Sequence, residues 1–144
     1  MTDNSKKICF VCTANMARSA MAETIFKKLN PSVKVQSCGT RTISGLPMTQ
    51  NSAIVLDESG YSSKHLSTMH SDINLHNNTI VVMTSEQKRF MENKYPDNAV
   101  YLITELGSGS GKDIADPVKK DINYYRAILK EIEKELKLIT NNKS

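Results

Sequence analysis

The chain has 144 residues, of which 39% are hydrophobic and 24% are charged, and its formal net charge is +4. This length and composition are typical of a soluble globular protein, so we predict a single domain over residues 1–144. No apolar run approaches the roughly 20 residues of a membrane-spanning helix, and the lysines and arginines form no basic face, so we expect neither a membrane nor a nucleic acid as a partner.

Apolar runs alternate with helical patterns along the chain. The runs predict four strands, at residues 7–11, 33–37, 79–83 and 99–103. Helical periodicity predicts helices at 19–29, at 49–59, at 85–94 (polar and exposed), and from Ile122 to Ile139 with an apolar stripe that lies on the sheet. Residues 39–48 and 105–116 are predicted loops. This order indicates an α/β fold with a parallel sheet and helices on both faces.

The three cysteines are Cys9, Cys12 and Cys38. Their odd number argues against a disulfide framework, and the first residues, MTDNSKK, carry no apolar signal segment. We therefore expect a cytoplasmic protein. Cys9 lies inside a strand and Cys38 in another apolar segment, so we interpret both as buried core residues. Cys12 ends the first strand, at the sheet edge where ligands bind in such folds.

The segment FVCTANMARSAMAE, residues 10–23, predicts a phosphate-binding loop after the first strand. A helix N-terminus offers unpaired N–H groups and a positive dipole end to an anion. Arg18 adds a planar fork that can grip two phosphate oxygens. Within that positive potential, the Cys12 thiolate is a nucleophile that Ser19 can stabilise by a hydrogen bond. Small side chains at Ala14 and Ala17 allow the loop to curl tightly.

A phosphatase of this kind also needs a general acid for the leaving group. Asp116, in the segment DIADP, is the preferred candidate, because its loop follows a strand and should emerge at the same sheet edge as Cys12. Asp113 and Asp121 are nearby competitors, and the Asp-Pro dipeptide can also mark a turn and a helix start.

Five segments of the chain, in order, resemble the low-molecular-weight protein tyrosine phosphatases. They are VCTANMARSAMAE at 11–23, SCGT at 37–40, GLPMTQNSA at 45–53, TIVVMTSEQ at 79–87 and DIADP at 113–117. The resemblance implies a four-stranded parallel sheet and hydrolysis of phosphotyrosine through a cysteinyl-phosphate. It implies phosphorylated proteins as substrates and no metal or cofactor. We also expect a monomer.

The resemblance also assigns roles within the site. Cys12 would be the nucleophile, Arg18 would bind the phosphoryl oxygens, and Asp116 would protonate the leaving group and then activate water. Asn15 would shape the loop and Ser19 would support the thiolate. The remaining members of the predicted substrate-binding loop are Thr13, Ala14, Met16 and Ala17.

Several positions depart from the family pattern. Ala14 stands where glycine is usual, and Ala17 where a second cysteine often protects the nucleophile. Val118 and Lys119 follow the Asp-Pro pair, so an aromatic wall of the tyrosine-specific members is missing. Met16 matches an aliphatic position of those members, whereas arginine-directed relatives have threonine there. The segment from Gly60 to His65 is one residue shorter than in related bacterial members.

Three alternative functions stay open. A protein arginine phosphatase is one, because GSGSGKDIADP resembles the acid loop of those members. An arsenate reductase of the same fold is another, although no cysteine follows Cys38 to relay a disulfide. An inactive adaptor that captures phosphorylated proteins is the third, and the presence of Cys12, Arg18 and Asp116 argues against it.

Overall fold

In the computed structural model, which describes residues 7–142, the predicted strands form one parallel sheet. The strands are β1 (Lys7–Cys12), β2 (Lys34–Gly39), β3 (Asn78–Val82) and β4 (Val100–Leu102), in the order β2-β1-β3-β4. β1 lies between β2 and β3, and its last residue, Cys12, is opposite Gly39 at the end of β2. The predicted sheet is confirmed, and β4 ends earlier than expected because a helix begins at Ile103.

Among the described residues, five α-helices surround the sheet. They are α1 (Arg18–Leu29), α2 (Gln50–Glu58), α3 (Ser85–Lys94), α4 (Ile103–Leu106) and α5 (Ile122–Asn141). α4 replaces the last residue of the strand predicted at 99–103 and the start of the loop predicted at 105–116. Within residues 7–142, no helix is both long and apolar enough to cross a membrane. The predictions that concern residues 1–6, and a single domain over residues 1–144, reach outside the described residues.

The sheet separates two apolar clusters because successive residues of a strand point to opposite faces. Ile8, Phe10 and Cys12 of β1 pack on the face that carries α1, α2 and α5, whereas Cys9 and Val11 pack on the face that carries α3. The predicted helices on both faces are confirmed. α3 is less exposed than predicted, because Gln87 and Met91 are buried.

The last helix has the predicted apolar stripe. Its buried side chains include Tyr125, Leu129, Ile132 and Leu136, which join the cluster over β1 and β3. Ile122 and Ile139, at the two ends of the stripe, are only partly buried. α5 therefore covers the same face of the sheet as α1.

Cys9 and Cys38 are fully buried, as expected for core residues. The structure adds a contact that the sequence does not indicate: their Sγ atoms lie 3.6 Å apart on adjacent strands. The hydrogen bond to Cys38 and the loss of solvent raise the pKa of the Cys9 thiol well above its usual range. Both thiols belong to the apolar cluster on the face of the sheet opposite to Cys12.

Candidate active site

The loop between β1 and α1 folds around the sulfur of Cys12. The Cys12 side chain is buried, and its Sγ lies 2.9 Å from the Oγ of Ser19. The backbone N–H groups of Asn15 and Ser19 point to the same sulfur, at 3.3 and 3.4 Å. Three donors can therefore stabilise a negative charge on this atom.

Asn15 holds the loop in its curled form. Its φ of 59° lies in the left-handed region, which asparagine enters more readily than most residues. Its Oδ1 accepts the N–H of Thr68 at 2.9 Å, which fixes the orientation of the amide. Its Nδ2 therefore donates to the Oγ atoms of Ser19 and Ser37, at 2.7 and 2.9 Å. Because the Ser19 oxygen already accepts this bond, its own proton is free to point at the Cys12 sulfur.

A second layer of side chains supports Asn15, and the sequence analysis did not identify it. Ser37 donates to the carboxylate of Glu23 on α1. His65 lies with its Nε2 2.9 Å from the carbonyl oxygen of Asn15, so this nitrogen carries the proton. The position of Ser37 near the carboxyl end of β2 was a usable signal, whereas no local pattern points to His65.

The end of β2 packs directly against the loop. The N–H of Thr40 donates to the carbonyl of Cys12 at 3.0 Å, and the N–H of Arg41 donates to that of Thr13 at 2.9 Å. A Cβ at Gly39 would lie 2.6 Å from the Thr13 carbonyl oxygen, closer than real Cβ atoms approach. The glycine in SCGT is therefore required by the close approach of two backbones.

Arg18 connects the phosphate-binding loop to the segment that carries Asp116. Its side chain is buried, and one guanidinium nitrogen donates to the carbonyl of Ile114 at 2.8 Å. The other terminal nitrogen lies 3.5 Å from Oδ2 of Asp116. The Asp116 side chain remains 47% exposed, so a ligand above the loop can reach it. The structure thus brings Cys12, Arg18 and Asp116 to one edge of the sheet.

The competing aspartates have other partners. Asp113 accepts the N–H and the hydroxyl of Ser85 at the start of α3, at 2.9 and 3.0 Å. Asp121 caps α5 by accepting the N–H of Tyr124 at 2.9 Å. Among the ion pairs of the described residues, Arg18 contacts Asp116 and neither of the other two aspartates.

The remaining loop residues offer both acceptors and unpaired backbone donors. Thr13 accepts a hydrogen bond from the Gln87 side chain at 3.2 Å, and the carbonyl of Met16 accepts the N–H of Thr49 at 3.0 Å. In the described part of the chain, the N–H groups of Ala14, Met16 and Ala17 have no hydrogen-bond partner. Together with the N-terminus of α1, they form an arrangement suited to an anion.

Within residues 7–142, no group of three His, Cys, Asp or Glu side chains is arranged to hold a metal ion. The polar groups around Cys12 are hydrogen-bond donors, which suit an anionic ligand.

Comparison with known proteins decides the family. The family model described as low molecular weight phosphotyrosine protein phosphatase matches residues 7–142. This chain belongs to that family. The family is one of hydrolases, as the sequence predicted.

Relatives within the family carry two activities in their names. A protein-arginine-phosphatase of Geobacillus stearothermophilus is 33% identical over 134 residues, which cover 88% of each chain. The low molecular weight protein-tyrosine-phosphatase PtpB of Staphylococcus haemolyticus is 31% identical, covering 88% of this chain and 91% of its own. A solved YwlE arginine phosphatase, a cysteine-to-serine mutant with a phosphorylated active site serine, has a TM-score of 0.87 at 25% identity and covers 94% of each chain.

Proposed function

We propose that this protein hydrolyses phosphotyrosine in protein substrates through a phosphorylated Cys12. The observation that carries the proposal is the convergence of three donors on the Cys12 sulfur, beside a buried Arg18 that contacts Asp116. The related phosphatase with a phosphorylated serine in place of its cysteine supports a covalent route. We also propose a cytoplasmic location, where thiols stay reduced, and a monomer as the active unit, since one chain supplies every residue of the site.

The proposed reaction has two steps. In the first, the Cys12 thiolate attacks the phosphorus, the bond from phosphorus to the leaving oxygen breaks, and Asp116 gives its proton to that oxygen. In the second, Asp116 takes a proton from water, the water oxygen attacks phosphorus, and the sulfur–phosphorus bond breaks. Inorganic phosphate leaves and the thiolate is restored.

The residues around Cys12 each favour one part of this sequence. The N–H groups of the loop and the Arg18 guanidinium neutralise charge on the phosphoryl oxygens. The Ser19 hydroxyl and the N–H groups of Asn15 and Ser19 stabilise the sulfur when it departs. The carbonyl of Ile114 holds the guanidinium in place, so its orientation is fixed before a ligand binds.

Trapping the intermediate tests this proposal. Acid quenching during turnover of p-nitrophenyl phosphate should leave one phosphoryl group on the peptide that contains Cys12, as seen by mass spectrometry. Cys12→Ser should give no measurable turnover. Turnover without a phosphorylated Cys12 peptide, or an active Cys12→Ser variant, would contradict the covalent route. A protein that binds phosphopeptides but hydrolyses none would be the adaptor instead.

The preference for phosphotyrosine rests on Met16. This side chain offers no hydroxyl group, it is only partly buried, and a thioether packs favourably against an aromatic ring. The second candidate substrate is phosphoarginine, which the name of the relative from Geobacillus stearothermophilus favours. Val118, 50% exposed beside the acid, offers no aromatic wall to a phenyl ring and leaves this second candidate open.

Matched peptides that differ only in the phosphorylated residue separate the two substrates. We expect a higher kcat/KM for phosphotyrosine than for phosphoarginine, and little hydrolysis of phosphoserine, whose short side chain does not reach the buried sulfur. Met16→Thr should shift the ratio toward phosphoarginine. Faster hydrolysis of phosphoarginine by the wild-type protein would overturn the assignment. An unchanged ratio in Met16→Thr would remove position 16 as the selector.

A further inference from the structure

Lys119, three residues after the proposed acid, has a backbone conformation that a lysine rarely adopts. Its φ is 66°, and the N–H of Lys120 donates to the carbonyl of Pro117 at 3.0 Å, which closes a turn around it. Glycine is the residue that such a turn position favours. The Lys119 side chain is exposed, and within residues 7–142 it has no ion-pair or hydrogen-bond partner. Packing therefore does not explain why this position holds a lysine.

The carboxylates closest to Lys119 in sequence already have partners. Asp116 accepts the N–H of Val118 and faces Arg18, Asp121 caps α5, and Asp113 holds the start of α3. Their charge is directed at backbone N–H groups, a hydroxyl and one guanidinium. They leave the ammonium group of Lys119 available to a ligand.

Further exposed cations lie on the segments that form the candidate site. Lys112 precedes Asp113, and Lys120 lies over the ring of Tyr124 at 5.6 Å. Arg41 is anchored beside the loop through the bond from its N–H to the Thr13 carbonyl. Within the described residues, no carboxylate pairs with any of these three side chains, so their charges are available to a ligand.

We propose that these cations recognise acidic residues next to the phosphorylated residue of the substrate, with Lys119 as the principal contact. The proposal rests on the proposed function, because it names the class of protein substrate that the site prefers. A set of unpaired positive charges at the mouth of a site raises the local concentration of an anionic segment and speeds its association. The turn around Lys119 holds one of these charges three residues after the proposed acid.

The test compares two phosphotyrosine peptides that differ only in having glutamate or glutamine at the positions flanking the phosphotyrosine. At low ionic strength, we expect kcat/KM to be about fivefold higher for the glutamate peptide, the scale of one or two exposed ion pairs. High salt should bring the ratio close to one. In Lys119→Glu, the ratio of kcat/KM for the glutamate peptide to that for the glutamine peptide should fall below one. In Lys119→Gln, this ratio should lie between the wild-type ratio and that of Lys119→Glu.

Lys134→Glu is the matched control. Lys134 is exposed, has no ion pair among the described residues, and lies about 18 Å along α5 from Ile122. A charge at that distance interacts with a substrate charge about a fifth as strongly as one at about 4 Å. Lys134→Glu makes the same change in net charge as Lys119→Glu and should leave the ratio close to the wild-type value. Lys119→Gly should lower the ratio while raising the melting temperature, because glycine relieves the backbone strain. A lysine with a merely structural role would not give this combination.

Two failures can be told apart. If the wild-type protein hydrolyses both peptides with the same kcat/KM, or if Lys119→Gln keeps the full wild-type ratio, the proposed recognition is wrong and the proposed function stands. If it hydrolyses neither peptide nor p-nitrophenyl phosphate, the proposed function itself is wrong, and the recognition proposal fails with it.

Discussion

The guanidinium of Arg18 contacts the segment that carries Asp116, a residue far away in the sequence. One terminal nitrogen donates to the carbonyl of Ile114 at 2.8 Å, and the other lies 3.5 Å from Oδ2 of Asp116. The residue proposed to hold the phosphoryl group thus also positions the loop of the proposed acid. A substitution at Arg18 should therefore disturb both the binding of the phosphoryl group and the position of Asp116.

Arg18→Lys should reduce kcat/KM on p-nitrophenyl phosphate by more than tenfold. An ammonium group cannot reproduce the planar fork, so it cannot hold two phosphoryl oxygens and the Ile114 carbonyl together. Steady-state kinetics measure the loss, with Lys27→Arg as a control that exchanges cations on the exposed face of α1. A variant that retains more than a tenth of the wild-type activity would contradict the role of the fork.

Asp116→Asn should slow esters with poor leaving groups far more than esters with good ones, because asparagine cannot supply the proton that a poor leaving group needs. General acid catalysis typically contributes about 10²–10⁴-fold. The measurement is kcat over a series of aryl phosphates of increasing leaving-group pKa. Asp113→Asn is the control, and it should leave the slope unchanged, since Asp113 holds the start of α3. Equal losses for all esters in Asp116→Asn would remove it from the acid role.

Gly39→Ala should displace the phosphate-binding loop. The added Cβ would meet the Thr13 carbonyl oxygen at 2.6 Å, and a backbone atom cannot rotate away as a side chain can. We expect a loss of about 1–3 kcal/mol in the free energy of unfolding, as for other overpacked sites. We also expect a fall in kcat of up to about 100-fold, the effect of a shift of about 1 Å at a reacting centre.

Gly60→Ala is the control for this substitution. It strains the exposed turn after α2 at a φ of 82°, and its Cβ would meet only the Nζ of Lys28 at 3.9 Å, an ordinary van der Waals distance. It should lower stability while kcat stays at the wild-type value. Wild-type kcat in Gly39→Ala would show that the loop tolerates the contact.

His70 should make the protein less stable as the pH falls below about 6.5. Burial, and to a smaller extent Lys94, lower the pKa of this imidazole below its ordinary value of 6.5, with Asp72 acting in the opposite direction. The unfolded chain therefore binds the proton first. The stabilisation is complete above the unfolded pKa and is lost as the pH drops through the folded pKa.

Urea denaturation between neutral and mildly acidic pH measures this effect. The contribution to the slope is at most about 1.4 kcal/mol per pH unit for one proton. His70→Asn keeps a polar group near the hydroxyl of Tyr95, which lies 2.6 Å from Nδ1, and should flatten the slope even if it lowers stability at every pH. Parallel slopes for the two proteins would assign the dependence to other groups.

Peroxide should inactivate the protein by oxidising Cys12, and the inactivation should progress to forms that thiols do not rescue. Ala17 offers no adjacent thiol to trap the sulfenic acid, and Cys9 and Cys38 lie on the other face of the sheet. Intact-mass analysis and recovery of activity with dithiothreitol measure this. Cys38→Ser should lose activity at the wild-type rate. Full recovery together with a Cys9–Cys12 disulfide would contradict the prediction.

The sequence by itself determined the four strands, four of the five α-helices of the described residues, and the chemistry of the central loop. Short apolar runs and helical periodicity are local patterns, so they predict the four strands, the alternation of strands with helices, and the apolar stripe of α5. The order of Cys12, Arg18 and Ser19 is local as well, because a strand, a tight loop and a helix N-terminus bring these residues together without any distant partner.

The tertiary structure alone decided which distant residues complete the site. The sequence favoured Asp116 without excluding Asp113 and Asp121, and the packing of their segment against Arg18 and the starts of α3 and α5 distinguishes the three. His65 meets the Asn15 carbonyl, and Cys9 meets Cys38, through contacts between segments that no local pattern pairs. Even the need for Gly39 arises because two neighbouring strands end at the same edge, which leaves no space for a Cβ between their backbones.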